Sequence, residues 1–229
     1  MPLPYREIAG VSKSRQHYLG DSAMAFGKPG RPPEDRLARQ AEICAAVGPL
    51  IVERGVARLS MREAAHTACL SIGGLYHYFP TKRDLALHPL RPEALQRTCQ
   101  DFHAAYGHLA EHDSAAYLDA YLDFLARTAI FLQPAVWAAL ELGAVEFQDS
   151  LVLGFQMPVL FQEFLRLLGQ ALPDATERDL PGLAQAVRRG VVGALLDKAT
   201  TEATLRGELE ALLAGHAAEQ QDGHAWVAA

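Results

Sequence analysis

Residues 60–85 read SMREAAHTACLSIGGLYHYFPTKRDL, and the reading of this stretch decides the fold. Ser60 stands three residues before Glu63, the spacing of a capping box at a helix start. Met61, Ala64, Ala65 and Ala68 recur at helical spacing and form one apolar face. That helix can run only about three turns before Cys69 and Leu70. Ser71 is a second N-cap candidate, and a very short helix follows it with Leu75, Tyr76, His77, Tyr78 and Phe79. Pro80 closes this helix, because the residue before a proline is biased away from helical geometry. Two short helices joined by a tight turn are a helix-turn-helix, whose second helix enters the DNA major groove.

A second helix this short needs packing to hold it, and Leu70, Leu75 and Phe79 are the available anchors. Gly73, Gly74, Tyr76 and His77 are left to face outward. Two glycines in the first turn weaken the helix by roughly 1 kcal/mol each relative to alanine. That cost suits a backbone that must approach another molecule closely, and a DNA phosphate fits.

Working outward, Glu34–Arg54 reads as an amphipathic helix with Leu37, Ile43, Val47, Leu50 and Ile51 mostly on one face. Pro49 lies inside it, and Gly55 stops it in a left-handed geometry. Residues 1–33 mix Gly, Pro, Ser and charge without periodicity and read as a disordered arm. Its Lys28-Pro-Gly-Arg31-Pro-Pro segment is a candidate minor-groove arm, with a solvated linker as the competing reading. After Phe79, Thr81 is the N-cap of a further helix, and Lys82 on its first turn is placed to hold a phosphate together with the helix end. Leu85–Pro92 holds Pro89 and Pro92 and reads as a kinked helix or hinge.

From Glu93 the chain reads as helical throughout, in the segments Glu93–Ala110, Ser114–Leu132, Pro134–Glu146, Leu151–Leu172, Leu180–Ala199 and Thr201–Ala218. No strand alternation bounded by turns appears. The expectation is an all-α protein. Residues 34–88 form a helix-turn-helix domain, 89–218 a larger helical domain, and 219–229 a frayed tail.

Of the 229 residues 50% are hydrophobic, enough for a sizeable core. The net charge of −6 is unevenly spread: residues 1–85 hold 12 Lys+Arg against 8 Asp+Glu, and the remainder holds 9 against 19. The positive part is the part with the helix-turn-helix, as attraction to phosphate requires. Three cysteines without CxxC spacing give neither a disulfide framework nor a zinc site. No uninterrupted apolar run reaches the ~18 residues of a membrane span. A soluble cytoplasmic protein with no cofactor and no metal is expected. No HExxH, GxSxG, GxxxxGK[ST] or GxGxxG stretch occurs in a suitable context, so an enzyme is the weaker alternative. A helical protein-binding module without DNA binding is the other alternative.

Together these residues resemble the TetR family of bacterial regulators. The likeness rests on Ile43, Ala46 and Glu53-Arg-Gly55, on Ser60-Met61 and Ala64-Ala65, and on Ala68 to Phe79 followed by Lys82 and Leu85. The order Gly-x-Leu-Tyr-x-Tyr-Phe-x-x-Lys from Gly73 to Lys82 is its most specific part. The resemblance implies a homodimeric repressor on a palindromic double-stranded operator, with a variable helical domain for an unknown small-molecule effector. Carried onto this chain, it implies DNA contacts from Ser60, Arg62, Ser71, Gly73, Gly74, Tyr76, His77 and Lys82, beside Lys28 and Arg31 of the arm. Tyr76 and Lys82 would grip phosphate and His77 would reach a base edge.

Three positions depart from the family pattern. Cys69 stands where glycine is usual, in a turn that favours positive φ, at a cost of roughly 1 kcal/mol. Ile72 and Gly74 replace more polar residues at the front of the second helix, which moves the expected specificity toward His77, Arg62, the arm and DNA shape. In the larger domain Tyr106, Tyr121, Trp137 and Phe155 are effector candidates, with ordinary core packing as the competing reading. Val187, Val191, Ala194 and Leu195 form one apolar stripe and Leu205, Leu209, Leu212 and Leu213 another. These fit either a dimer interface, as the resemblance implies, or an internal core.

Overall fold

The structure, a computed structural model, describes residues 35–144 and 179–225, with side chains described for 35–144 and 180–215. The expected arm with Lys28 and Arg31, the segment Leu151–Leu172 and Phe155 lie outside these residues. Among the described residues every regular element is a helix.

Helix α1 spans Arg36–Arg54. Asp35 caps it by accepting from the Ala38 N–H at 3.1 Å, so the helix begins slightly later than Glu34. The Ala38 N–H, and behind it the Arg97 guanidinium, hold the Asp35 carboxyl below its usual value. The helix continues through Pro49 to Gly55, whose N–H donates to Ile51 O at 2.9 Å. Gly55 has positive φ as expected, but with φ 79° and ψ 163° it lies outside the left-handed helical well.

Helices α2 (Met61–Thr67), α3 (Ile72–Tyr78) and α4 (Lys82–Leu87) follow in quick succession. The two-proline segment resolves as a break rather than a bend. A 3₁₀ turn at His88–Leu90 contains Pro89, and Pro92 opens α5 (Pro92–Tyr106), where a missing N–H costs nothing. Helix α6 is a single turn, Leu109–His112.

Helix α7 (Ser114–Glu141) is the spine of the described residues and packs against α1, α4 and two later helices, α8 (Asp179–Leu196) and α9 (Glu202–Ala225). It runs unbroken through Gln133–Pro134, where the sequence suggests a break. Burial on both sides of the proline overrides its helix-breaking tendency: Ala129, Leu132, Ala135, Val136, Ala138 and Ala139 are all in the core. Gly48 of α1 leaves room for the ring, since a Cβ there would lie 3.0 Å from Pro134 Cγ. Gln133 is buried, and its Nε2 donates to the carbonyls of Ala194 at 2.8 Å and Asp197 at 2.7 Å.

Helix α8 covers Asp179–Leu196 and α9 covers Glu202–Ala225, past the boundary expected at Ala218. Val187, Val191, Ala194, Leu195, Leu205 and Leu209 are buried within this one chain, so both apolar stripes are mainly internal core. Leu212 remains exposed. Asp119 and Asp123 of α7 both pair with Arg206 of α9, the latter at 3.0 Å.

Candidate DNA interface

Ser60 caps α2 as its spacing predicts: its Oγ accepts from the Glu63 N–H at 3.1 Å. Only half of the expected reciprocal box forms, because the Glu63 carboxylate turns instead to the Arg54 guanidinium. Ala64 and Ala65 are buried where α2 meets α3. The turn closes through Ala68 N–H to Ala64 O at 2.9 Å and Leu70 N–H to Ala65 O at 2.8 Å. Between them Cys69 takes φ 55°, the sole non-glycine residue with positive φ among the described residues, and is exposed. The turn therefore keeps the geometry expected of a glycine and tolerates the strain.

Ser71 caps α3, accepting from the Gly74 N–H at 3.0 Å. Leu75 and Phe79 are fully buried, and Leu70 is partly buried beside them. These anchors fix which face of α3 looks out. That face presents Ile72 (44% exposed), Gly73, Tyr76 (49% exposed) and His77. A Cβ at Gly73 would meet nothing within 4 Å, so the backbone there is open to a close approach. Gly74 is half-buried, its Cβ position 3.1 Å from Ser71 Oγ. Arg62 is exposed on α2.

A polar stripe on α1 supports α3 from behind. Arg36 Nη2 donates to the His77 carbonyl at 2.7 Å, and Gln40 Nε2 donates to the Tyr78 carbonyl at 3.2 Å. One turn further, Cys44 Sγ donates to the Leu85 carbonyl at 3.5 Å, and burial raises its thiol pKa well above the ordinary value. Residues i, i+4 and i+8 of one helix thus satisfy carbonyls at the ends of two others. The Arg36 guanidinium also lies 5.6 Å from the centre of the Tyr78 ring, and its Nη1 is 3.5 Å from His77 Nε2. None of Arg36, Gln40 or Cys44 emerges from the apolar periodicity of α1. Their signal is a polar residue repeated every four positions beside the hydrophobic face.

Lys82 opens α4 behind the Thr81 cap, which accepts from the Asp84 N–H at 3.0 Å. The Lys82 ammonium donates to the Ala57 carbonyl at 3.0 Å. An ammonium has three N–H donors, so two remain for another acceptor. Ser60, Arg62, Ser71, Gly73, Gly74, Tyr76, His77 and Lys82 thus all lie on or beside the α2–α3 unit and the start of α4.

The effector candidates divide. Phe102 stacks on Phe124 at 4.5 Å between ring centres and touches Tyr106 at 5.3 Å and Tyr121 at 5.8 Å. Tyr121 is buried in this cluster, while Tyr106 is at its exposed edge. Trp137 stands apart, its ring 4.5 Å under the Lys198 ammonium. Among the described residues no group of His, Cys, Asp and Glu could hold a metal ion, and no helix is long and apolar enough to cross a membrane.

Residues 49–88 match the family described as bacterial regulatory proteins, tetR family. A solved structure described as a gamma-butyrolactone receptor (ArpA like protein) is 19% identical, with 80% of this chain and 98% of that one covered and a TM-score of 0.39. A TetR transcriptional regulator from Rhodococcus sp. RHA1 is 21% identical, with 79% and 97% covered and a TM-score of 0.33. No curated protein matches the chain. The matched residues take in the end of α1, the Ser60 cap, the turn at Cys69, all of α3 and Lys82. What the chain shares with the tetR family of bacterial regulatory proteins is therefore this segment, residues 49–88 with the helix-turn-helix at their centre.

Proposed function

We propose that the chain is a cytoplasmic transcriptional repressor that binds a palindromic operator as a homodimer and leaves it when a small molecule binds the larger domain. The observation that carries the reading is the two-sidedness of α3. Leu75 and Phe79 bury one face, and Ile72, Gly73, Tyr76 and His77 present the other to solvent. A helix of this size, braced from behind and bare in front, is suited to the major groove.

In this reading Tyr76 and Lys82 contact phosphate, with Ser60 and Ser71 beside them, and Gly73 and Gly74 let the backbone come close. Arg62 and His77 reach base edges, and Lys28 and Arg31 follow the minor groove. Two copies of α3 in a symmetric dimer would meet successive major-groove faces about 34 Å apart, which makes the operator a palindrome. Support for a dimer through α8 and α9 comes from the residues their internal core leaves outside, Leu196 and Leu212. Effector contacts are assigned to Tyr106, Tyr121, Trp137 and Phe155.

Selection from a random duplex pool, followed by gel shift at several salt concentrations, tests the reading. The expected result is a palindromic consensus whose affinity falls steeply with salt. A pool that yields no enriched sequence would sink it. A thermal-shift screen of metabolites then tests the effector half, since a ligand of the native state raises the unfolding temperature.

A further inference from the structure

The turn between α1 and α2 is held from outside the helix-turn-helix domain. After Gly55 the next two backbone N–H groups converge on one carboxylate. Glu141 Oε2 accepts from Val56 N–H at 2.8 Å, and Glu141 Oε1 accepts from Ala57 N–H at 2.8 Å. Successive N–H groups beside a positive-φ residue form a concave anion site. Here the anion is the last residue of α7, more than 80 positions along the chain. The positive φ favours glycine at position 55, and a Cβ there would lie 2.7 Å from Glu141 Oε2 and push the carboxylate off its two N–H donors.

Two features mark Glu141 as more than an exposed helix residue. A carboxylate at a helix C-terminus faces the negative end of the helix dipole, so its position is unfavourable for α7 itself. Its compensation is a pair of charge-assisted hydrogen bonds to another part of the fold. Moreover, the residue it grips is gripped again from the opposite side, since the Ala57 carbonyl accepts from Lys82 Nζ at 3.0 Å. Ala57 is therefore pinned at its N–H by α7 and at its carbonyl by the first residue of α4. A neighbouring tie fixes the same end of α1: Lys198 Nζ donates to the Val52 carbonyl at 3.0 Å.

We infer that Glu141 is a positioning residue for DNA binding: it sets the α1–α2 turn and, through Ala57, aims the Lys82 ammonium at the phosphate backbone. The inference rests on the DNA-binding reading above. Its structural content is that the end of α7 and a DNA-contacting lysine share one residue as their common support. A displacement of the end of α7 would reach Lys82 through Ala57 in addition to the direct packing of α7 on α4.

The test uses the full chain and the duplex selected by the wild type. Glu141→Gln keeps the volume but offers an NH₂ group to one of the two N–H donors. It is expected to bind that duplex roughly fivefold more weakly or worse. Its salt slope should flatten by nearly as much as that of Lys82→Ala. The double variant should be no weaker than Lys82→Ala alone, because both changes act through one support. Amide exchange at Val56 and Ala57 should quicken in Glu141→Gln without DNA, a change confined to this turn. If Glu141→Gln does not hold its fold at the assay temperature, Glu141→Asp replaces it with the same non-additivity expected. Effects of Glu141 and Lys82 that simply add, or a variant with wild-type affinity and salt slope, would overturn the role of Glu141 alone. A wild type that selects no duplex would overturn the DNA-binding reading and this role with it.

Discussion

Arg36 and His77 join the first turn of α1 to the last turn of α3 through a 2.7 Å hydrogen bond from the guanidinium to the backbone carbonyl. One turn along, Gln40 does the same for Tyr78 from a buried position. The two bonds have the same purpose but different surroundings, and that difference is measurable. Arg36 is exposed, so Arg36→Ala lets water reach the His77 carbonyl and should cost about 0.5–1 kcal/mol. Gln40→Leu leaves the Tyr78 carbonyl short of a donor in a part-buried site and should cost about 1–3 kcal/mol. Urea unfolding at unchanged m-value gives both numbers. The reverse order would mean that the stripe does not brace α3 as described.

Cys69 at φ 55° provides a second comparison. A left-handed backbone costs an ordinary side chain roughly 1–2 kcal/mol, partly offset for glycine by its greater freedom in the unfolded chain. Cys69→Gly should therefore leave the unfolding midpoint equal or slightly raised. Cys69→Val, with a branched Cβ in the same well, should lower the midpoint, at a cost in stability of more than about 1 kcal/mol. Equal midpoints for the glycine and valine variants would show that the turn relaxes out of positive φ.

Local chemistry made the helix-turn-helix legible in the sequence. Ser60, Ser71 and Thr81 each cap the helix that follows them, and Leu75 and Phe79 are spaced to be buried together. Such signals act over three or four residues and need no partner from elsewhere. The reciprocal half of the Ser60 box failed because Arg54, nine positions from Glu63, offers a charged partner that periodicity does not weigh. Pro134 misled for a similar reason: it breaks an isolated helix, but here burial against α1 and α8 decides. Glu141 is the extreme case, an acid whose purpose lies in a turn joined to it only by the fold. On α3 the outward placement of Gly73 and His77 could be read from spacing, Arg62 entered only through the family resemblance, and the Arg36–Gln40–Cys44 brace could not be read at all.

Ile72 stands exposed at the first position of α3, where the sequence departs from polar base-readers. An exposed aliphatic side chain in a major groove pairs best with the 5-methyl group of thymine. In the selected duplex, replacing the facing thymines by uracil should weaken wild-type binding by about 1 kcal/mol per lost contact. Ile72→Ala should bind the thymine and uracil duplexes alike. Equal loss on uracil replacement in both proteins would assign the methyl contact to another residue.

Gln133 bridges α7 to the end of α8 through two carbonyls, at 2.8 Å to Ala194 and 2.7 Å to Asp197. Gln133→Leu keeps the site filled but leaves both acceptors short of a donor, at an expected cost of about 2–4 kcal/mol. Gln133→Glu should be worse at neutral pH, because it sets a carboxylate against two carbonyl oxygens, and should recover as the solution is acidified. Chemical unfolding at pH 7.5 and pH 5 would reveal the recovery. A glutamate variant whose deficit does not shrink on acidification would show that the carboxylate has turned out to solvent.

His88, buried between α4 and α5, predicts a loss of stability in mild acid. It is buried in the 3₁₀ turn after α4, with its ring edge-on to Phe79 at 5.4 Å. Burial, and then the nearby Arg91 guanidinium, lower its pKa from the ordinary imidazole value of 6.5. A lowered folded-state pKa means that the unfolded chain binds the proton more readily. Stability from this group is therefore complete above pH 6.5 and is lost as pH falls through the folded-state value. The slope for a single site is at most about 1.4 kcal/mol per pH unit. Asp35 and Asp197 have carboxyl pKa values lowered from 3.8, so their contributions disappear only in stronger acid and leave a separate window for His88. Urea unfolding at pH 7.5 and pH 5.5 should show the wild type losing stability across that window, and His88→Leu losing clearly less. An identical loss in both proteins would place the responsible proton on another group.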